Sequence, residues 1–194
     1  MKQTRRAASP SLPKGRDKTR TREEILAAAR HAFATRGYAG TGVREIAAAA
    51  GINSALVVRY FGGKQKLFIA TIDADMALTP FLAGPREQLG RHIVDHLMHK
   101  PEHETDALAI MMLGATDPSL SPALKRLIKQ RLFDPLVAWL GGRDAPARAA
   151  LLLALVSGVW MHRRLLPVPP LTGEVDRATA TTLARMIQEL IDGR

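Results

Sequence analysis

Residues 43–61, VREIAAAAGINSALVVRYF, have the spacing of two short helices joined by a tight turn. Ile46, Ala47 and Ala50 fall at i, i+1 and i+4, one face of a first helix. Val57 and Tyr60 lie three apart on a second helix and pack back onto that face. Gly51 falls between them, where the turn needs a residue that tolerates a left-handed backbone. Ala47 is small where the helices cross, and Asn53 is placed to cap the second helix by accepting a backbone N–H bond. Two ordinary packed helices would satisfy part of this pattern. A helix-turn-helix satisfies all of it.

The charge distribution points the same way. The chain has 28 Lys and Arg against 18 Asp and Glu, a net +10. Residues 1–66 hold 14 basic and 4 acidic side chains, so they carry the whole excess. Residues 67–194 hold 14 of each and sum to zero. A basic module joined to a neutral one is the electrostatic footprint of polyanion binding, and counterion release would supply its non-specific affinity.

With 46% apolar residues the chain can bury a sizeable core. It has no cysteine, which excludes a disulfide, a thiolate metal site and a cysteine nucleophile. The basic start, MKQTRRAASPSLPKGRDKTR, has no apolar run behind its charges and does not read as a secretory signal. The longest apolar run, residues 149–161, is too short to span a bilayer and suits a helix buried on several sides. The expectation is a soluble, cytoplasmic protein with no membrane partner.

Residues 1–19 have Pro10, Pro13 and Gly15 and no apolar period, which predicts a disordered basic arm. It is either a solvated tail or an arm that follows phosphates or enters a minor groove. From Thr21 the pattern is helical as far as Gly37, with Ile25, Ala28, Ala29, Ala32 and Phe33 on one side. Beyond the helix-turn-helix, Gly62 and Gly63 precede a fourth helix expected from Lys64 to about Leu82. Further helices read at about 86–99, 104–115, 120–141, 146–165 and 174–192, separated by Pro and Gly. Strand-like alternation is absent. The expected fold is all-α: the arm, a small three-helix domain that carries the helix-turn-helix over residues 20–66, and a larger helical domain over 67–194.

From about Arg22 to Phe68 the residues resemble the TetR family of transcriptional regulators. The resemblance rests on the Ala-rich helix ending in Phe33, on Gly37-Tyr38, Thr41, Ile46-Ala47 and Ala50-Gly51, on Tyr60-Phe61, and on Lys64 followed by Leu67. It implies a dimeric repressor that binds double-stranded operator DNA and whose second domain binds a small-molecule effector. It places Arg44 at a base edge, Ser54, Ala55 and Leu56 at the start of the recognition helix, and Tyr60 and Lys64 at phosphates. Two positions depart from the family. Gly42 stands where a capping Thr or Ser is common. Val58 stands where Tyr is usual, and Arg59 beside it is the candidate to compensate. Read without the family, Ala55 and Val58 suit thymine methyls and Arg44 suits a bidentate pair with guanine, a phosphate contact or solvent. With the capping Asn53, these residues form the candidate DNA-binding set.

The resemblance also implies that the last two helices pair with their copies in a second subunit. The candidate stripe on the final helix is Ala180, Leu183, Ala184, Ile187, Leu190 and Ile191. An effector cavity would draw on Met76, Phe81, Met98, Met111, Met112, Phe133, Trp139, Trp160 and Met161, residue types that at helical spacing are more often plain core. His92, His96 and His99 lie at i, i+4 and i+7, with Asp95 beside them and His103 beyond. Their stripe reads as a solvated face, as polar lining of the cavity or as a metal site, in that order. No metal or cofactor is expected. No nucleophile elbow, phosphate loop or dinucleotide fingerprint appears, which disfavours an enzyme. A DNA-coating protein without an effector is the other competing class. A cavity of a few hundred cubic ångströms in the second domain would distinguish a regulator from it.

Overall fold

The computed structural model describes residues 15–74, 76, 78, 82–99 and 107–194, and of residues 15–17 the backbone alone. Residues 1–14 of the expected arm lie outside the described residues, as do Phe81 and His103. Among the described residues there is no strand.

Helix α1 spans Gly15–Arg36, so it begins inside the stretch expected to be disordered. Lys and Arg are good helix formers, so a stretch without an apolar period can still be helical. Lys18, Thr19 and Arg20 are exposed, and Arg20 pairs with Glu24 one turn on, at 2.9 Å. Helix α2 spans Val43–Ala49 and α3 Ser54–Phe61. Gly51 turns between them at φ +66°, and the Asn53 side chain accepts from the Ala55 N–H at 2.8 Å. Gly42 has no side chain to cap α2, and its own N–H donates to the Glu45 carboxylate at 2.9 Å. Only one half of a reciprocal capping pair is therefore present.

Helix α4, Lys64–Asp73, is shorter than the expected run to Leu82. A 3₁₀ turn at Arg86–Gln88 leads into α5, Leu89–His99. Then come α6, Ala107–Gly114, and α7, Ser121–Ile128. Helix α7 continues through a π-helical turn, Lys129–Phe133, into α8, Asp134–Leu140. Helix α9 spans Ala145–Arg164 and α10 Arg177–Asp192. The Asp176 side chain starts α10 by accepting from the Ala178 and Thr179 N–H groups, both at 2.9 Å.

The side chains bury into two cores. The first joins α1–α4 to Ala107, Ile110 and Met111 of α6, to Leu120, and to Leu124 and Leu127 of α7. Leu67, Phe68 and Ile72 of α4 lie within it. It therefore crosses residue 67 and ties the basic module to two helices of the following region. At its centre, Phe33, Tyr38 and Phe68 meet with centroids 5.0–6.0 Å apart, the two Phe68 contacts being edge-on. That geometry suits the ring quadrupoles. The second core joins α5, α8, α9 and α10. Helices α5 and α10 approach closely because Gly90 has no Cβ; one there would lie 3.1 Å from the Gln188 Cβ.

Leu183, Ile187 and Ile191 of the final stripe are buried in the second core. The expected dimer stripe of α10 is thus used within the subunit, and Met186, 44% exposed, is the large apolar side chain left outside. Helix α9 extends beyond the 13-residue apolar run on both sides. It is the one described helix long and apolar enough to cross a membrane, by length and composition, and only 28% of its most apolar window is buried. Its outer side carries Leu151, 55% exposed, with Leu155 and Gly158 half-buried at the following turns.

Candidate nucleic-acid interface and interior cavity

Helix α3 has two sides. Val57 and Phe61 are buried, and Ala55, Val58, Arg59 and Gly62 are exposed. The exposed set falls at i, i+3, i+4 and i+7, a single outward face. It presents a methyl, an isopropyl group that is 51% exposed and one guanidinium. Ser54, Leu56 and Tyr60 are half-buried at its edges, and Asn53 is exposed at its cap. Arg44 is exposed on α2. Thr41, which the sequence marks only through the family pattern, fixes the entry to α2. Its buried hydroxyl meets the Gly37 carbonyl at 2.8 Å and the Ala32 carbonyl at 3.1 Å. The two carbonyls lie in the last turn of α1 and just past its end, so the hydroxyl ties the approach to α2 to the end of α1.

Lys64 sits differently from Arg44. Its ammonium lies over the Tyr38 ring, 4.3 Å from the centroid. Close by is the loop between α6 and α7. The Gln65 side chain donates to the Ser119 carbonyl at 2.7 Å. Ser119 donates to Asp117 from its hydroxyl at 2.7 Å and its amide at 2.9 Å. Those bonds, the hydroxyl first, hold the Asp117 carboxyl below the usual range, and Lys64 adds its charge. The Tyr38 phenol is pushed up, first by burial and then by Asp117, against a lowering hydrogen bond from Ser119. The far end of α4 is tied as well: Arg131 of the π turn grips the Asp73 carboxylate with two bonds, at 2.5 and 2.9 Å. Between these ties, Gly114 of α6 lies against Phe68. A Cβ there would overlap the ring's Cζ and lie 2.8 Å from Cε1.

Behind α4 lies a cavity of about 640 Å³, within the range of small-molecule sites. It runs along the seam between the two cores. Met76, Met111 and Leu124 line it from the first core; Leu89, Leu97, Leu136, Leu152, Trp160 and Ile191 line it from the second. Of the expected lining residues, Met76, Met111, Met112 and Trp160 are in its wall. Met98, Phe133, Trp139 and Met161 are not: all four pack against the second core instead. Trp139 also offers its face to the Arg86 guanidinium at 4.4 Å. The wall further includes His96, Lys125, Arg164, Ser121 and Ser157, of which only His96 was singled out from sequence. His92 and His99 are exposed, and His99 Nδ1 meets the Asp95 carbonyl at 2.9 Å. Among the described residues no three His, Asp or Glu side chains converge as a metal site.

The arginines also organise the floor of the second core. Arg86 donates to the carbonyls of Trp139, Leu140 and Ile191 at 2.8–3.2 Å. Arg148 donates to those of Leu190, Ile191 and Gly141 at 2.6–3.2 Å. The C-terminal ends of α8 and α10, which leave carbonyls unsatisfied and attract cations, thus converge on two guanidinium groups.

A basic three-helix reading module, a fourth helix tied at both ends and an apolar cavity behind it define a helix-turn-helix regulator. Residues 25–71 match the family described as bacterial regulatory proteins, tetR family, and residues 87–191 match the tetracycline repressor-like C-terminal domain. The chain belongs to the TetR family of transcriptional regulators. It is similar to the HTH-type transcriptional repressor AcnR of Corynebacterium efficiens, 39% identical over 67 residues, which are 34% of this chain and 36% of that protein. It is also similar to the repressor NicS of Pseudomonas putida, 33% identical over 97 residues, 44% of this chain and 46% of that one. The chain therefore matches between about a third and a half of the length of these relatives. A solved TetR-family regulator from Streptomyces coelicolor superposes with a TM-score of 0.60 at 26% identity, covering 94% of this chain and 99% of that one.

Proposed function

We propose that the protein is a cytoplasmic, ligand-responsive repressor that binds a palindromic operator as a homodimer and is released when a small apolar effector fills the cavity. The observation that supports this best is the shared first core. The reading helices, α4 and the cavity helices α6 and α7 pack as one body. A displacement of the cavity wall therefore reaches the reading module through direct packing. The effector weakens DNA binding only if it favours an arrangement whose two recognition helices are wrongly spaced for the groove. A cavity of this size also favours the regulator over a DNA-coating protein without an effector.

On the DNA side, Arg44 reads a base edge and Ala55 and Val58 meet thymine methyls, with Arg59 beside them. Tyr60 and Lys64 hold phosphates, and Ser54, Leu56 and Asn53 set the start of the helix against the backbone. The second copy covers the outer face of α9 at Leu151, Leu155 and Gly158 and that of α10 at Met186. Gly158 suits a close helix crossing, because a Cβ there would meet nothing within 4 Å in the subunit. A two-fold dimer places two recognition helices on half-sites one or more turns apart.

Selection of bound sequences from a random DNA pool tests the reading, and a palindrome is expected. Leu151→Asp should give folded monomers in the centrifuge and lose the operator, because one half-site alone binds weakly. A non-palindromic site, or monomers that hold the full operator at wild-type strength, would overturn it.

A further inference from the structure

The outward face of α3 ends on a glycine. Ala55, Val58, Arg59 and Gly62 fall along it, and Gly62 is the exposed C-cap, with φ +76°. The last place on that face therefore has no side chain of its own. Lys66 of α4 fills it. A Cβ on Gly62 would lie 3.1 Å from the Lys66 Cδ and 3.4 Å from its Nζ. The lysine stem thus crosses the end of α3 where a side chain of α3 would stand, and its ammonium joins the outward face. The place suits a cation, because the last carbonyls of a helix carry partial negative charge.

Lys66 and Lys64 differ in what holds them. Lys64 is half-buried, its ammonium lies over the Tyr38 ring, and Asp117 acts on it from the α6–α7 loop. Lys66 is exposed, and among the described residues its ammonium has no hydrogen-bond or ion-pair partner. Arg22 of α1, also exposed, reaches the same end of α3, with its guanidinium 5.3 Å from the ring centroid of Phe61, the last residue of the helix. Cations from α1 and α4 therefore meet where α3 stops.

We infer that Lys66 completes the reading face of α3 by holding a phosphate of the DNA backbone at the C-terminal end of the helix. This rests on the reading of α3 as the helix that enters the major groove. Helix α3 has 8 residues, about 12 Å of rise, and the groove is about 12 Å wide. A helix of that length, set across the groove with its start at one phosphate wall, brings its end to the other. Ala55 and Val58 have no charge to offer a phosphate there. A lysine is a point charge on a flexible stem, so it anchors the backbone without reading sequence.

The test measures the affinity of the full chain, by fluorescence anisotropy over a salt series, for the operator recovered by selection and for a scrambled duplex of the same length. Lys66→Met should reduce the slope of log affinity against log salt by about 0.9 for each bound subunit. At about 50 mM salt it should weaken both duplexes roughly tenfold per subunit. Lys66→Arg should keep the wild-type slope. Arg126→Met should keep it too. Arg126 lines the same shallow groove between α4 and α7 as Lys66, but further down, between the Gln65–Ser119 bond and the Arg131–Asp73 pair. A lysine that only caps α3 would give Lys66→Met a lower urea midpoint with an unchanged salt slope, and that result would overturn the inference. So would a loss confined to the operator, which marks a base contact, or an equal loss of slope in Arg126→Met, which marks diffuse charge. If Lys66→Met does not fold, Lys66→Gln carries the comparison. A wild-type chain that binds no duplex from the random pool would sink the reading of α3 itself, whereas wild-type binding with an unmoved slope in Lys66→Met sinks this inference alone.

Discussion

The first core is centred on three aromatic rings that touch one another, whereas the second is mostly aliphatic and is closed at its floor by arginines. Rings in contact hold α1 and α4 at a set distance, and Gly114 seats α6 on the Phe68 ring, because any slide costs contact area in several directions. The second core has fewer rings and gains its definition from guanidinium groups that join the ends of α8 and α10. One is positioned by shape and the other by polar satisfaction at its border. The cavity lies where the two meet, so its shape depends on both.

Phe68→Ala tests the first half of that contrast and should have the largest effect. The ring is fully buried and touches Phe33, Tyr38 and the Gly114 backbone. Urea denaturation should give a loss of about 3–5 kcal/mol, and DNA affinity should fall with it. A loss below about 1 kcal/mol would mean that the ring cluster does not position this core.

Arg86→Met keeps an apolar stem against Trp139 and strands the carbonyls of Trp139 and Leu140, while that of Ile191 keeps its bond from Arg148. A loss of about 2 kcal/mol is expected, smaller than that of the ring because water can reach part of the site. If the variant matches the wild type in thermal and urea unfolding, the second core closes without its arginines and the contrast fails.

The smallest effect concerns the joint between the cores and the reading module. A raised Tyr38 pKa means that the phenol's contribution to stability is complete below its ordinary value, about 10, and is lost as pH rises through the raised one. Asp117→Asn leaves the burial and removes the second cause. In a Tyr60→Phe background the remaining phenol should then titrate nearer its ordinary value, followed by phenolate absorbance. An unmoved titration would place Asp117 away from Tyr38 in solution.

The reading module was legible in the sequence because its determinants are local. Gly51, Asn53, Val57 and Tyr60 act within a few residues of one another, and their periodicity states the fold. The arginine floor was not legible. Arg86 meets a carbonyl 105 residues away, and in sequence it is one charge among 28. The cavity was legible in half. Met76, Met111, Met112 and Trp160 are large and apolar, as a wall requires, but so are Met98, Phe133, Trp139 and Met161, which face elsewhere. Lys125 and Arg164, which are also in the wall, were not singled out, because in sequence each is one charge among 28. The stripe on α10 was seen correctly as apolar, but periodicity cannot say whether its partner is α5 or a second copy.

Gly114 fixes how much play the joint between cavity and reading module can have. With no Cβ between them, the backbone of α6 bears directly on the Phe68 ring of α4. Met111, Met112 and Ala115, on the same turns, form part of the cavity wall. A linkage with a gap would absorb the first fraction of an ångström of any movement. This one has no slack to take up, so even a sub-ångström shift of α6 displaces α4 from the outset, and no dead travel separates the two.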